Sequence, residues 1–77
     1  AEQLAKGQPN PAGIAVDESG VYWVNRNANG EVMHKPIEGG AVETLAADQN
    51  GAHAIALDAN AIYWTNTDGG QVMMLSK

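Results

Sequence analysis

The stretches Val21-Tyr22-Trp23-Val24-Asn25 and Ile62-Tyr63-Trp64-Thr65-Asn66 are two versions of one pattern, and this pattern decides the fold. Between them they hold both tyrosines and both tryptophans of the 77-residue chain. An aromatic residue that recurs in register has to fill the same kind of space in each copy. The recurrence therefore indicates a duplicated structural unit.

The repeat extends well beyond these two stretches. Its matches lie 41 positions apart and, after one gap at Ala28, 40 positions apart, with 12 identities in 30 aligned pairs. The identical pairs are Leu4/Leu45, Ala5/Ala46, Gln8/Gln49, Ile14/Ile55, Ala15/Ala56, Asp17/Asp58, Tyr22/Tyr63, Trp23/Trp64, Asn25/Asn66, Gly30/Gly70, Val32/Val72 and Met33/Met73. A period of about 40 residues is typical of β-propeller blades and also of helical HEAT, armadillo and tetratricopeptide arrays.

Short strand signals separated by turn residues favour the propeller over the helical arrays. Every connection carries Gly, Asn or Asp, the residues that tight hairpins use, and no 11-residue window has uninterrupted helical periodicity. Four antiparallel strands in about 40 residues is the size of one blade. The predicted strands are residues 12–17, 21–25, 31–37 and 41–46 in the first repeat, and 52–58, 61–66 and 71–76 in the second.

The second strand of each repeat is too apolar for a sheet with one face in water, where apolar and polar residues alternate. A propeller blade is covered on both faces by its neighbours. We therefore expect Tyr22 and Val24 to face one adjacent blade, and Val21 and Trp23 to face the other. The aromatic residues are interpreted as core and not as ligand-stacking groups.

The phase of the repeat places the ends of the chain inside a blade. Residues 2–6 align with residues 43–47, so the chain opens with an outermost strand, and the second blade lacks its own outer strand. An unpaired sheet edge is a template for pairing. We therefore predict that Gln3, Leu4 and Ala5 of one copy pair with Val72, Met73 and Met74 of another, in a head-to-tail contact that closes a ring.

The predicted organisation is thus all-β, with residues 1–77 forming one unit of two four-stranded antiparallel propeller blades, completed by strand exchange in an oligomeric ring. The first repeat covers about residues 4–44 and the second about 45–77, while residues 1–6 supply the outer strand of a neighbouring blade. Because the sequence begins with Ala1 and not Met, we expect either removal of a leader or excision from a longer protein, and we favour excision.

The composition of the chain bears on three kinds of partner: nucleic acid, a membrane and other copies of the chain. Nine acidic residues against four basic ones give a net charge of −5, with no basic run, which argues against nucleic-acid binding. No apolar stretch approaches the roughly 20 residues that span a bilayer, so we expect no membrane insertion. The chain has no cysteine, and a chain this short needs reinforcement that disulfides cannot supply here. Assembly with other copies is the remaining candidate.

Ile14-Ala15-Val16-Asp17 followed by Tyr22-Trp23-Val24-Asn25, and Ile55-Ala56-Leu57-Asp58 followed by Tyr63-Trp64-Thr65-Asn66, resemble the YWTD repeat of low-density-lipoprotein-receptor class B propellers. The chain departs from that pattern, since Asn25 and Asn66 replace Asp and Val24 replaces Thr, and it is most similar to a bacterial-type variant. The resemblance implies six blades and hence three copies, with eight blades from four copies as the next alternative. It also implies a mostly non-catalytic, extracytoplasmic or secreted module that binds protein or glycan.

Polar residues shared by the repeats are interpreted as structural. Asp17 and Asp58 precede tight turns, where a carboxylate accepts turn amides. Asn25 and Asn66 end the second strands and suit capping of loop backbone. Where the repeats differ, His34 aligns with Met74 and His53 with Ala12, without the spacing of metal ligands. We expect no metal, no cofactor and no catalytic residue.

The candidate binding residues lie on the loops that line the channel mouth of a propeller, residues 6–11, 26–30, 47–51 and 67–70. We predict that these side chains suit a polar ligand such as a sugar or a peptide, although ordinary solvated turns explain them too. An alternative function is that of a fragment of a propeller lyase or hydrolase with its site at the channel mouth. The predicted residues, hereafter the rim, are Gln8, Asn10, Arg26, Asn27, Gln49, Asn50 and Asp68; Asp48 lies on the same loops.

Overall fold

The computed structural model describes residues 4–77, and in that range the chain forms seven β-strands and no helix. The strands are rich in Val, Ile, Tyr, Trp and Met, which pack well on a pleated surface, and Gly, Asn and Asp separate them. They are β1 Pro11–Asp17, β2 Gly20–Asn25, β3 Gly30–Lys35, β4 Glu43–Gln49, β5 Ala52–Leu57, β6 Ala61–Asn66 and β7 Gln71–Ser76.

The strands form two antiparallel sheets. The first has the order β1-β2-β3-β4 and the second the order β5-β6-β7, so each strand pairs with the next one along the chain. Both sheets carry an irregularity at the same position of the repeat, next to the pairs Pro11↔Asn25 and Ala52↔Asn66. The all-β prediction is confirmed, as are four strands in the first repeat and three in the second.

The predicted bounds of two strands, β3 and β4, were wrong by two residues or more. β3 ends at Lys35 and not at residue 37, since the next residue, Pro36, has no backbone N–H to donate. β4 begins at Glu43 and runs to Gln49, which pairs with Gly30, whereas we expected residues 41–46. Residues 47–49, assigned to a rim loop from the sequence, therefore belong to a strand.

The strand predicted over residues 2–6 is only partly open to comparison. Residues 1–3 lie outside the described residues. Leu4, Ala5 and Lys6 form no strand within the single chain. Ala5 packs instead against a cluster formed by Val21, Trp23 and Met33 on the outer face of the first sheet.

The core lies between the two sheets. Its buried side chains come from β2 and β3 on one side and from β5 and β6 on the other, and Val24 and Val32 are fully buried. Tyr22 and Val24 face the second sheet, while Val21 and Trp23 lie on the opposite face, as the sequence predicts for their alternation. The cluster comprises Tyr22, Val24, Val32, Ala52, Ile62 and Trp64.

The backbones of the two sheets lie close together at Gly13 on β1. A Cβ atom at this position would lie 2.9 Å from the carbonyl oxygen of His53 and 3.3 Å from Cα of Ala54. Both neighbours are backbone atoms of β5. The absence of a side chain at residue 13 therefore lets β1 and β5 pack against each other.

Candidate functional site

Two rim residues are engaged in a hydrogen-bond cluster that both repeats share. Gln8 Oε1 accepts hydrogen bonds from Trp23 Nε1 at 3.2 Å and from Asn25 Nδ2 at 2.9 Å. Gln49 Oε1 accepts from Trp64 Nε1 at 3.0 Å and from Asn66 Nδ2 at 2.8 Å. The side-chain oxygen of each glutamine therefore holds its tryptophan and asparagine in place.

Asn25 and Asn66 bond to side chains, and our expectation that they cap loop backbone was wrong. Besides the glutamines, Asn25 Nδ2 donates to Glu31 Oε1 at 3.2 Å and Asn66 Nδ2 to Gln71 Oε1 at 3.3 Å. Both asparagines are almost completely buried. A buried amide stabilises a fold only where its donors are paired, which explains why the glutamine and the asparagine recur together.

Backbone and side-chain bonds fasten the remaining rim residues of the first sheet. Asn10 adopts a positive φ of 56°, donates its Nδ2 to the Arg26 carbonyl at 2.7 Å and accepts from the Arg26 amide at 2.9 Å. Asn27 accepts the amide of Gly51 at 2.9 Å and so links the first sheet to the second. The Asn10 and Arg26 side chains are exposed, and Asn27 is half-buried.

The rim residues of the second sheet converge on Gly51. The amide of Gly69 donates to the Asn50 carbonyl at 3.3 Å, and the Asp68 carboxyl group lies against Gly51, where an added Cβ would be 2.8 Å from it. Asn50 and Asp68 are exposed. The structure thus brings Asn27, Asn50 and Asp68 together at one edge of both sheets and leaves exposed polar groups there.

A second site, which the sequence analysis did not identify, lies at the opposite end of the sheets. It is a cleft of about 730 Å³ between the sheets, next to the β1–β2 and β5–β6 turns. Leu57, Ile62 and Leu75 form apolar walls. Its polar lining is Asp17, Glu18, Ser19, Tyr22, His34, Asp58, Ser76 and Lys77. The sequence signal was the difference between the repeats at this end, where Ser19 aligns with Asn60 and His34 with Met74.

The aspartates at this end accept turn amides, as predicted. Asp17 Oδ1 accepts from the amide of Ser19 at 2.8 Å and from that of Gly20 at 3.3 Å. Asp58 Oδ1 accepts from the amides of Asn60 and Ala61, both at 2.8 Å. The pKa of Asp58 is lowered, mainly by the hydrogen bond from the amide of Asn60 and next by that from the Tyr63 hydroxyl.

Lys77 brings a positive charge into the cleft. Its Nζ lies 2.5 Å from Asp17 Oδ2, 2.5 Å from the Asp58 carbonyl oxygen and 5.8 Å from the centre of the Tyr22 ring. The hydrogen bond from Lys77, with that from Ser19, holds the pKa of Asp17 far below its ordinary value. The same bond to Asp17 raises the pKa of Lys77.

His34 lies beside Tyr22, on the neighbouring strand β3 of the same sheet. The two rings are 4.5 Å apart and tilted by 39°, and His34 Nδ1 lies 2.9 Å from Glu43 Oε1. His34 Nε2 is buried and has no hydrogen-bond partner among the described residues. Within residues 4–77, no three His, Cys, Asp or Glu side chains are grouped as metal ligands would be.

Ser19 of the cleft is not placed for nucleophilic catalysis. Ser19 Oγ donates to Asp17 Oδ1 at 2.7 Å and lies 2.8 Å from the Tyr22 hydroxyl, which therefore donates to it. No histidine nitrogen contacts this hydroxyl in the described part of the chain. The groups of the cleft can hold a cation, but they do not form a nucleophile and base pair.

No protein-family model matches the chain, and comparisons with curated proteins and with solved structures also gave no match. Nowhere in residues 4–77 is there a helix with the length and apolarity that crossing a membrane requires.

Proposed function

We propose that this chain is a two-blade unit of a β-propeller that assembles head to tail with further copies into a closed ring, and that the ring is a non-catalytic scaffold for binding protein or glycan. The observation that carries the proposal is the unequal burial of equivalent residues. Val32 is completely buried against the second sheet, whereas Val72, its counterpart, leaves 80% of its surface exposed.

The packing of the two sheets supplies a template for the contact between copies. Ile55 packs into the core between the sheets, but its counterpart Ile14 is 69% exposed on the outer face of the first sheet. On the far face of the second sheet, Val72 and Met74 are exposed. If the first sheet of the next copy packs on the second sheet of this copy in the way that the two sheets pack within one chain, its Ile14 face covers Val72 and Met74.

The position of the N-terminal segment supports strand exchange. In β4, Leu45 and Ala46 pack against the cluster that contains Trp64. Their counterparts Leu4 and Ala5 lie beside Trp23 and line an apolar hollow of about 430 Å³ with Pro11, Ala12, Gly13, Ile14 and Val21. The segment thus already lies on the face where the outer strand of a preceding blade would be.

The number of copies and the ligand rest on the resemblance to YWTD propellers, which favours three copies over four. Exposed polar side chains at one edge, Asn10, Arg26, Asn50 and Asp68, suit hydrogen bonding to a glycan or a peptide. Gln8 and Gln49 contribute to the same edge by holding its strands.

The native mass in solution tests the assembly. Light scattering coupled to size exclusion should give about three times the 8.0 kDa mass of the chain, and four times if the ring has eight blades. A stable monomer with ordered sheets would contradict the proposal.

Removal of residues 1–6 tests the strand exchange separately. We expect the shortened chain to lose the closed ring, because the second sheet would lack a fourth strand from any copy. The control is a chain of unchanged length in which a Gly/Ser segment replaces residues 1–6, which should behave like the deletion. An unchanged oligomer mass in both variants would show that the segment does not close the ring.

The rim is tested with glycan and peptide arrays probed with the assembled protein. We expect Arg26→Ala and Asp68→Ala to weaken any binding that is found, and Glu18→Ala, at the opposite end of the sheets, to leave it unchanged. Equal binding by all three variants would exclude the rim as the site.

A further inference from the structure

The cleft between the sheets surrounds the ammonium group of Lys77 with groups that each attract a positive charge. We propose that this cleft is a recognition site for primary alkylammonium groups, which the chain fills with its own Lys77. The inference rests on the contacts between the two sheets of one chain and is independent of ring assembly.

The contacts fit an ammonium in number and in kind. Lys77 Nζ donates to the Asp17 carboxylate and to the Asp58 carbonyl, both at 2.5 Å, and lies 5.8 Å from the Tyr22 ring centre. A cation within about 6 Å of an aromatic centre is attracted to the face of the ring. Leu57, Ile62 and Leu75 provide apolar surface in the same cleft for an alkyl stem.

The hydrogen bonds of Asp17 select an ammonium over a guanidinium. Its Oδ1 is occupied by the amide and hydroxyl of Ser19 and the amide of Gly20, so only Oδ2 faces the cation. A guanidinium binds a carboxylate best through two parallel hydrogen bonds, whereas an ammonium is a compact point charge that needs one oxygen. The geometry therefore favours a primary amine.

The acceptors of the site are held by contacts that do not involve Lys77. In the first repeat, Ser19 Oγ accepts the hydrogen bond of the Tyr22 hydroxyl at 2.8 Å. The tyrosine therefore does not occupy Asp17 Oδ2, which can accept from an ammonium. In the second repeat, Asn60 replaces Ser19, and the Tyr63 hydroxyl donates to Asp58 Oδ2 at 2.8 Å instead. The exchange of one residue in the turn thus gives the first repeat a free carboxylate oxygen that the second lacks.

The charge of the cleft without Lys77 is negative. Asp17, Glu18 and Asp58 line it, and among residues 4–77 Lys77 is the single lysine or arginine in its lining. The Lys77 and Asp17 side chains keep 20% and 24% of their surface exposed, so the ion pair is open to solvent on one side. An alkylammonium from solution can therefore reach the same position when the Lys77 side chain is removed.

The test is chemical rescue of Lys77→Ala by n-butylammonium chloride, whose ammonium on a four-carbon stem matches the whole lysine side chain. Titration of the labelled variant should give saturable NMR shifts at the amides of Ser19, Gly20 and Tyr22, and should raise its melting temperature more than the same concentration of NaCl. The unsubstituted chain should show neither response, because its site is filled.

Two controls make the result specific. Asp17→Asn in the Lys77→Ala background should weaken n-butylammonium binding by about tenfold or more, since it removes a charge-assisted hydrogen bond. n-Butylguanidinium should bind more weakly than n-butylammonium to Lys77→Ala.

Several outcomes would overturn the proposal. They are the absence of saturable shifts, equal shifts in the Asp17→Asn background, and equal binding of the guanidinium. If Lys77→Ala is unfolded alone, refolding by n-butylammonium supports the site and failure to refold counts against it. Lys77→Met, which keeps an apolar stem, is titrated in parallel and should respond more weakly, because its side chain fills the path of the alkyl group.

Discussion

Trp64, on the central strand of the second sheet, donates its indole N–H at 3.0 Å to Oε1 of Gln49, the last residue of β4 in the first sheet. The same oxygen accepts from Asn66, which is buried, so one side chain satisfies two donors. Trp23, Asn25 and Gln8 repeat the arrangement in the first sheet. Because the same three residue types make the same bonds in both sheets, the glutamine has a structural role in the fold.

Gln49→Met should lower the free energy of unfolding by about 1–3 kcal/mol, because it leaves the Trp64 N–H and one Asn66 donor without an acceptor. Urea unfolding at a fixed protein concentration measures this change. Gln49→Glu keeps an acceptor in place, so its free energy of unfolding should fall by less than that of Gln49→Met. A Gln49→Met variant as stable as the unsubstituted chain would show that the hydrogen bonds contribute nothing.

Gly13→Ala should also destabilise the chain, by about 1–3 kcal/mol, because overpacking against backbone atoms forces them to move. The added Cβ would be 2.9 Å from the His53 carbonyl oxygen, so β1 and β5 would have to separate. Gly69→Ala is the matched control, since its nearest neighbour is the flexible end of Gln71 at 3.1 Å. Equal stability of the two variants, measured by urea unfolding, would contradict the close approach of the sheets.

The ion pair between Asp17 and Lys77 predicts a pH dependence with a defined sign. The pKa of Asp17 is lower in the folded than in the unfolded chain, so its contribution to stability is present above the unfolded pKa of about 3.9 and is lost as the pH falls below it. The pKa of Lys77 is raised, so its contribution is present below an unfolded pKa of about 10.4 and is lost as the pH rises through the folded value.

The melting temperature of the unsubstituted chain should therefore exceed that of Asp17→Asn by a constant amount at pH 5 to 9 (about one unit inside those two unfolded pKa values) and by less below about pH 4. Glu38→Gln, at an exposed position of the β3–β4 loop, provides the comparison for loss of a negative charge. The two pH values to compare are pH 3 and pH 7, which lie on either side of about 3.9, the unfolded pKa of an aspartate. If the difference in melting temperature between the unsubstituted chain and Asp17→Asn is the same at both, the ion pair is not its source.

Val72→Asp should reduce the native mass while leaving the sheets folded. Val72 is 80% exposed in the single chain, so the substitution should change the stability of one copy by no more than about 0.5 kcal/mol. In the proposed ring, the carboxylate would be buried against a neighbouring copy without a partner. Val42→Asp makes the same exchange outside this face and should keep the mass, and a Val72→Asp chain of unchanged mass would argue against the proposed contact.

Much of the fold could be predicted because the chain repeats itself. The recurrence of Tyr22-Trp23 as Tyr63-Trp64 and the Gly, Asn and Asp residues between the strands predicted the seven strands of the two antiparallel sheets, with Tyr22 and Trp23 on opposite faces. An eighth strand was predicted over residues 2–6, and residues 4–6 do not form it within the single chain. The end of β4 at Gln49 could not be predicted, since it depends on pairing with Gly30. Pairing partners are decided by tertiary contacts and not by the local sequence.

The candidate sites were predicted less well than the fold. The rim residues were chosen as polar residues on loops, yet Gln8 and Gln49 turned out to bond to buried indoles and amides, which composition does not reveal. The cleft was missed because Asp17 and Lys77 are far apart in the sequence and meet only when the two sheets pack.

The sequence by itself determined the strand pattern of this protein, the duplication and the alternation that buries both faces of β2, because these depend on side-chain type and spacing. Tertiary structure alone decided which residues contact each other across the sheets: Gln49 with Trp64, Gly13 with the backbone of β5, and Lys77 with Asp17. Such pairings depend on distances in space between distant segments, and these are fixed only when the sheets pack.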